Sequence, residues 1–157
     1  DVRIEVGWAT IDSAAASWSR RYVRAAGEGT VSHALGERLL GAITLGAGAS
    51  TGAPLPQRAF FLGGAHTVRG QPLGSMSGDA YWLARGELAL AAGAVRPTVF
   101  WDQGWAGARS AWNHPGRPLA GAGAGLSLLD GLVRLDLSRG SYPRQGYRLD
   151  LYLAARF

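Results

Sequence analysis

The side chains able to do chemistry are few, and they lead to one arginine. His33, His66 and His114 are the candidate bases. Ser32 and Ser13 lie near His33 in sequence or in a loop, yet no Ser-His-acid spacing stands out, so a nucleophile with a base in reach is not indicated. No cluster of His, Asp and Glu has metal-ligand spacing, and cysteine is absent, which removes thiolate sites and disulfides. The chain therefore reads as a non-enzyme with no cofactor and no metal. What does stand out is Leu62-Gly63-Gly64-Ala65-His66-Thr67-Val68-Arg69-Gly70-Gln71. Gly63, Gly64 and Gly70 give the backbone freedom on either side of Val68 and Arg69. It is a poor phosphate loop, because no helix follows and the chain has no lysine.

The elements that must position this arginine read as β-strands. Residues 2–10 set Val2, Ile4, Val6 and Trp8 against Arg3, Glu5 and Gly7, the period-two alternation of a strand between two environments. Further strands are predicted at 18–25 and 38–50, with Gly27-Glu28-Gly29 turning the chain between them. A long turn-rich segment, about 51–80, then carries the arginine. The fourth strand, 81–90, places Arg85 and Glu87 opposite Trp82, Ala84, Leu88 and Leu90. The fifth, 95–105, sets Phe100, Asp102 and Gly104 against Val99, Trp101 and Trp105. Gly121, Gly123 and Gly125 share one face of the sixth, 119–129. Asp130-Gly131 is a strong two-residue hairpin signal. It leads to a seventh strand with Arg134, Asp136 and Ser138 on one face. The eighth sets Tyr147, Leu149, Leu151, Leu153 and Phe157 against Arg148, Asp150, Tyr152 and Arg156.

Eight strands of about ten residues, even in number and joined by alternately short and long connections, predict an all-β fold. The architecture expected is a transmembrane antiparallel up-and-down β-barrel of eight strands. Turns at 91–94 and 130–131 would be periplasmic, and the segments 51–79 and 107–118 extracellular. A soluble β-sandwich alternates as well. Arginine and acid recur on the polar face of most strands, however, which suits a wet or ion-paired lumen. Trp8, Trp82, Trp101 and Trp105 on the apolar face suit interfacial girdles. The charge of +5 comes from arginines spread singly along the chain, so nucleic acid is not an expected partner. The length supports one domain, 1–157, with no periplasmic domain in the chain.

The glycine-flanked stretch resembles the signature loop of the BamA/TamA/FhaC superfamily of outer-membrane insertases and translocators, Gly-Gly-x-x-x-Val-Arg-Gly-aromatic. Phe100-Trp101-Asp102-Gln103-Gly104 resembles the second signature of that superfamily, Phe-x-Asp-x-Gly, in the correct order. Gln71 departs from the usual aromatic. The resemblance matches the second half of a family barrel. It implies that Arg69 pairs with Asp102 on the inner wall, near Phe100 and Gly104, with Glu87 and Asp136 as secondary acids. The glycines of the sixth strand would give the loop room. The competing reading leaves Arg69 solvated and pairs Asp102 with Arg85. Phe157 resembles the terminal residue of the assembly signal of outer-membrane barrels. The implied role is assistance to outer-membrane protein insertion or translocation, with lipid and unfolded outer-membrane proteins as partners. The alternative is a structural or small-pore barrel, with a lipid-modifying enzyme a distant third. Because lipid forbids open strand edges, the expected state is a closed monomer pairing the first strand with the eighth, with an edge-to-edge homodimer and a fragment excised from a larger barrel as the other outcomes.

Overall fold

The computed structural model describes the backbone of residues 2–13, 16–52, 58–90, 94–128 and 132–153, and side chains from residue 22 onward within those spans except that of residue 52. Ten strands follow in order: β1 (Val2–Ser13), β2 (Ala16–Ala34), β3 (Leu39–Gly52), β4 (Phe60–Leu62), β5 (Met76–Gly78), β6 (Ala80–Leu90), β7 (Val95–Gly107), β8 (Leu119–Leu128), β9 (Val133–Tyr142) and β10 (Arg144–Leu153). A single-turn 3-10 helix, Arg109–Ala111, sits between β7 and β8.

Eight of the strands form one antiparallel sheet in the order β1-β2-β3-β6-β7-β8-β9-β10. Each pairs with its neighbour in the chain, and the excursion between β3 and β6 contains the small β4–β5 hairpin. Among the described residues no ladder joins β1 to β10. The long segment and the β7–β8 connection leave the sheet at the same end, as the alternation of short and long connections requires. Asp130-Gly131, residues 91–93, the side chain of Trp8 and Phe157 lie outside the described residues.

The second strand differs from expectation. Gly27-Glu28-Gly29 is not a turn; β2 passes straight through it, with Gly27 opposite Ala47, Glu28 opposite Gly46 and Gly29 opposite Leu45. Two glycines flanking one residue lack the Asn, Asp or Pro chemistry that makes a turn. The chain turns instead at residues 35–38, where the Leu35 amide donates to the Leu39 carbonyl at 2.8 Å. The expected turn at 141–146 is likewise tighter, because β9 runs to Tyr142 and β10 starts at Arg144.

Alternation sorts the sheet into two unlike faces. Leu149, Leu151 and Leu153 on one side of β10 are 66%, 70% and 74% exposed, and Ile43, Leu45, Val99 and Leu137 are exposed on the same outer face. On the other face Asp102 and Asp136 are fully buried. An apolar outside around a charged inside inverts the order of a protein dissolved in water. It is the order of a β-wall in lipid. No helix among the described residues is long and apolar enough to cross a membrane.

One tryptophan departs from the girdle. Trp105 shares the face of Trp101 by alternation, yet it is buried, while Trp101 is exposed. The β7–β8 connection covers it, and Trp112 meets its ring edge-on with centroids 6.1 Å apart. A single strand cannot signal that a later loop folds back over it.

Candidate functional site

The long segment between β3 and β6 does not project away from the sheet. Its hairpin lies against the inner face at the loop end of β7. Leu62 and Val68 pack there with Leu83, Ala106 and Leu119 in a buried apolar cluster. The inner wall is thus apolar toward the loop end and charged deeper in. Thr67 closes the turn before the arginine: its hydroxyl oxygen accepts from the Gly63 amide at 2.8 Å and the hydroxyl lies 3.0 Å from the Gly63 carbonyl. Gly63, Gly64 and Gly70 all have left-handed φ, +110°, +94° and +82°.

This turn delivers Arg69 to the wall, where it has no exposed surface. Its Nε donates to Asp102 Oδ2 and its Nη2 to Asp102 Oδ1, both at 2.6 Å, a bidentate fork on one carboxylate. The Arg69 backbone amide also donates to Asp102 Oδ2, at 3.0 Å. Nη1 donates to Glu87 Oε1 at 2.5 Å and to Asp136 Oδ2 at 3.4 Å. The guanidinium carbon lies over the Phe100 ring, 3.6 Å from its centroid. Burial alone would lower the pKa of this group. The hydrogen bond and charge of Asp102, then those of Glu87, outweigh it and raise the pKa above its ordinary value. The cation is therefore locked in place as a cation.

Two more arginines complete the cluster. Arg134 donates from Nη1 and Nη2 to the two oxygens of Glu87, at 3.0 and 3.1 Å, and from Nε to Asp136 at 3.0 Å. Arg85 sits 3.5 Å from Asp102 and donates to the His66 carbonyl at 3.2 Å, gripping the loop tip itself. Three guanidinium groups face three carboxylates, so the formal charges cancel. Tyr152 Oη donates to Asp136 Oδ2 at 2.7 Å and ties β10 to the same network. Arg69 is not solvated, and Asp102 has Arg69 as its close partner, with Arg85 second.

β8 makes room for this cluster. Its inward lane is Gly121, Gly123 and Gly125, flanked in register by Asp102 and Phe100 on β7 and by Ser138 and Asp136 on β9. A Cβ at Gly121 would fall on the Arg69 carbonyl oxygen. At Gly123 it would meet Leu137, Phe100 and Ser138, and at Gly125 the Asp136 carboxylate. Gly104 makes the same kind of space for Leu62.

Gln71, where an aromatic is usual, is fully buried. Its Nε2 lies within donor reach of three carbonyls, those of Ala120, Tyr142 and Pro143, at 2.8, 2.9 and 3.0 Å. It fastens the loop to the start of β8 and to the β9–β10 turn. Its Oε1 is buried and has no hydrogen-bond partner among the described residues. The sequence marked Gln71 as a departure and missed this second anchor. It also missed Tyr152, whose signal was a phenol among Arg148 and Asp150 on the charged face. Phe157 is not among the described residues, and among those residues no three His, Asp or Glu stand together as metal ligands.

An antiparallel wall with leucine outside and ion pairs inside, gripping a long loop by a buried arginine, defines the outer-membrane class of β-proteins. The chain belongs within that class to the haemolysin secretion/activation protein ShlB/FhaC/HecB family, whose profile matches residues 43–128. The match spans the arginine loop, the Phe-x-Asp-x-Gly strand and the glycine lane. The family is one of outer-membrane secretion proteins within the superfamily that the two motifs resemble. No curated protein matches the chain.

Proposed function

We propose that the chain forms an outer-membrane wall of the secretion type, in which the clasped loop controls a polar path along the inner face. The observation that carries this reading is the buried Arg69, held by Asp102 of the matching family strand. Below the loop tip lies a cavity of about 380 Å³, roofed by Ala65 and His66 and lined by Arg85, Glu87, Arg134 and Tyr152. Glu28 and Thr30 of β2 face the same cavity. Charged and hydroxyl groups suit a water-filled path, and the loop is the element positioned to obstruct it.

That one small cavity is lined from β2 round to β10 also supports closure of the sheet, with β1 meeting β10. Lipid leaves no exposed strand edge unpaired. The chain has no cysteine, so cysteine pairs placed across β1 and β10 report closure directly. Within-chain cross-links between Ile4, Val6 or Trp8 and Leu149, Leu151 or Leu153 support a closed monomer; cross-linked dimers instead support two copies edge to edge.

Planar-bilayer conductance tests the path. Arg69→Ala, with the loop shown to be released by limited proteolysis, raises conductance over the unaltered chain. A released loop with unchanged conductance overturns the gate and leaves a structural clasp in a small-pore protein. Insertion of unfolded outer-membrane proteins, the other role the resemblance implies, is measured separately as their folding rate in vesicles carrying the chain.

A further inference from the structure

The arginines inside the wall are matched by acids; those at the loop-end rim of β8–β10 are not. Arg117 precedes β8, Arg139 lies on β9, and Arg144 opens β10. Among the described residues none of the three has a carboxylate within ion-pair reach. Two of them instead lie on phenol rings: Arg117 is 4.0 Å from the Tyr142 centroid, and Arg139 is 5.1 Å from that of Tyr147. Arg139 Nε donates to the Gln145 carbonyl at 3.2 Å, which fixes the plane of its fork. Unmatched guanidinium groups at a rim, two of them braced on rings, suit an anion with several oxygens.

The outer face below them says what carries that anion. Arg139 stands in register with Tyr147 on β10, and the next outward pair is Leu137 with Leu149. Tyr147 is 74% exposed, and the leucines beneath it are exposed as well. On the other side of Arg139, β8 presents only Ala122, and then Ala124 beside Leu137. These alanines are flanked in turn by Trp101 and Val99 of β7. The result is a short, shallow apolar trough just below Arg139, floored by Ala122 and Ala124 and ended farther down β8 by the exposed Leu126 and Leu128. The apolar strip of β10 beside it, from Tyr147 to Leu153, is roughly 20 Å long, enough to span the ~15 Å of one leaflet's hydrocarbon.

We propose that this rim binds the phosphate of an outer-leaflet lipid headgroup, with Arg117, Arg139 and Arg144 on the phosphate and an acyl chain in the alanine trough. The charge of the rim is complementary to such a headgroup, and the trough continues the lipid-facing wall. A soluble anion would use the arginines and leave the trough unused. The proposal rests on the reading that the outer face meets lipid, but not on the loop acting as a gate.

Native mass spectrometry of the folded chain in detergent tests it, with bis-phosphorylated lipid A and its dephosphorylated form as probes. The unaltered chain retains the phosphorylated probe and releases the dephosphorylated one. The triple substitution R117Q/R139Q/R144Q weakens retention about a hundredfold, near fivefold for each arginine. Equal retention of the two probes overturns the proposal, as does an unchanged affinity of the folded triple variant. Displacement of the phosphorylated probe by equimolar inorganic phosphate overturns it in favour of a free-anion site. Should the triple variant fail to fold, by heat-modifiable mobility, the two probes on the unaltered chain still decide. Flotation with vesicles separates the two readings: a chain that fails to float refutes the lipid-facing wall, whereas one that floats and ignores phosphate refutes only the rim.

Discussion

Arg69→Ala is the change whose outcome follows most directly from the geometry. It removes both halves of the bidentate fork on Asp102 and the contact with Glu87, leaving a buried carboxylate where a neutral cluster stood. Breaking a buried pair from one side costs about 3–5 kcal/mol, chiefly because the surviving charge stays desolvated. Arg85, 3.5 Å from Asp102, can take over part of the compensation. The lower end is therefore expected, about 3 kcal/mol. Asp102→Ala has a similar cost from the other side, since it strands the Arg69 guanidinium and its backbone amide. The double variant has neither orphan. The two costs should then fall short of additivity by about 2 kcal/mol. Urea unfolding in lipid vesicles, followed by tryptophan fluorescence, measures all four corners of the cycle. Additivity within about 0.5 kcal/mol would mean that the two residues act independently, and the clasp would be refuted.

Other substitutions test neighbouring parts. Gln71→Glu puts a carboxylate against three carbonyl oxygens and is expected to expel the loop; cleavage of residues 58–79 by added protease should rise at least tenfold, and unchanged protection would refute the anchor. Gly121→Ala places its Cβ on the Arg69 carbonyl, so the same protease assay should show release even though every clasp residue is retained. Trp112→Ala uncovers Trp105, shifting its emission and destabilising the fold by about 1 kcal/mol in urea unfolding. Leu151→Arg on the outer face should cost about 2–4 kcal/mol in a bilayer, where a water-facing position would tolerate it.

Much of the wall was legible because a strand's period of two is a local property. Charge and leucine alternate cleanly on β9 and β10, so their faces could be assigned from the residues alone. β2 was not legible. Its glycines break the alternation, and its span is set by pairing with β3 rather than by its own pattern. The Arg69–Asp102 pair lies 33 residues apart, and no local pattern links the two; the two motifs did. Gln71 and Trp105 depend on which later segments fold back over them: the Tyr142 partner of Gln71 is 71 residues on, and Trp112, though only seven residues from Trp105, meets it by a fold of the loop that no strand periodicity shows. Coverage by a folded-back loop leaves no periodic trace.

The distribution of arginine gives the fold its orientation. The chain carries a formal charge of +5, yet the cluster around Arg69 contributes nothing to it, because Arg69, Arg85 and Arg134 face Glu87, Asp102 and Asp136. Arg69, Asp102 and Asp136 have no exposed surface, so an unmatched charge among them would be costly and neutrality is the stable arrangement. At the rim, Arg117, Arg139 and Arg144 stand without acids among the described residues. If the surplus were incidental, moving it would be neutral. Adding a carboxylate beside it should then change nothing: Ser141→Glu, placed opposite Arg144 in the ladder, would leave retention of phosphorylated lipid A untouched. If the surplus is the headgroup site, the new acid occupies one guanidinium and retention falls several-fold while urea stability holds. That pair of measurements separates a charge kept for binding from a charge merely tolerated.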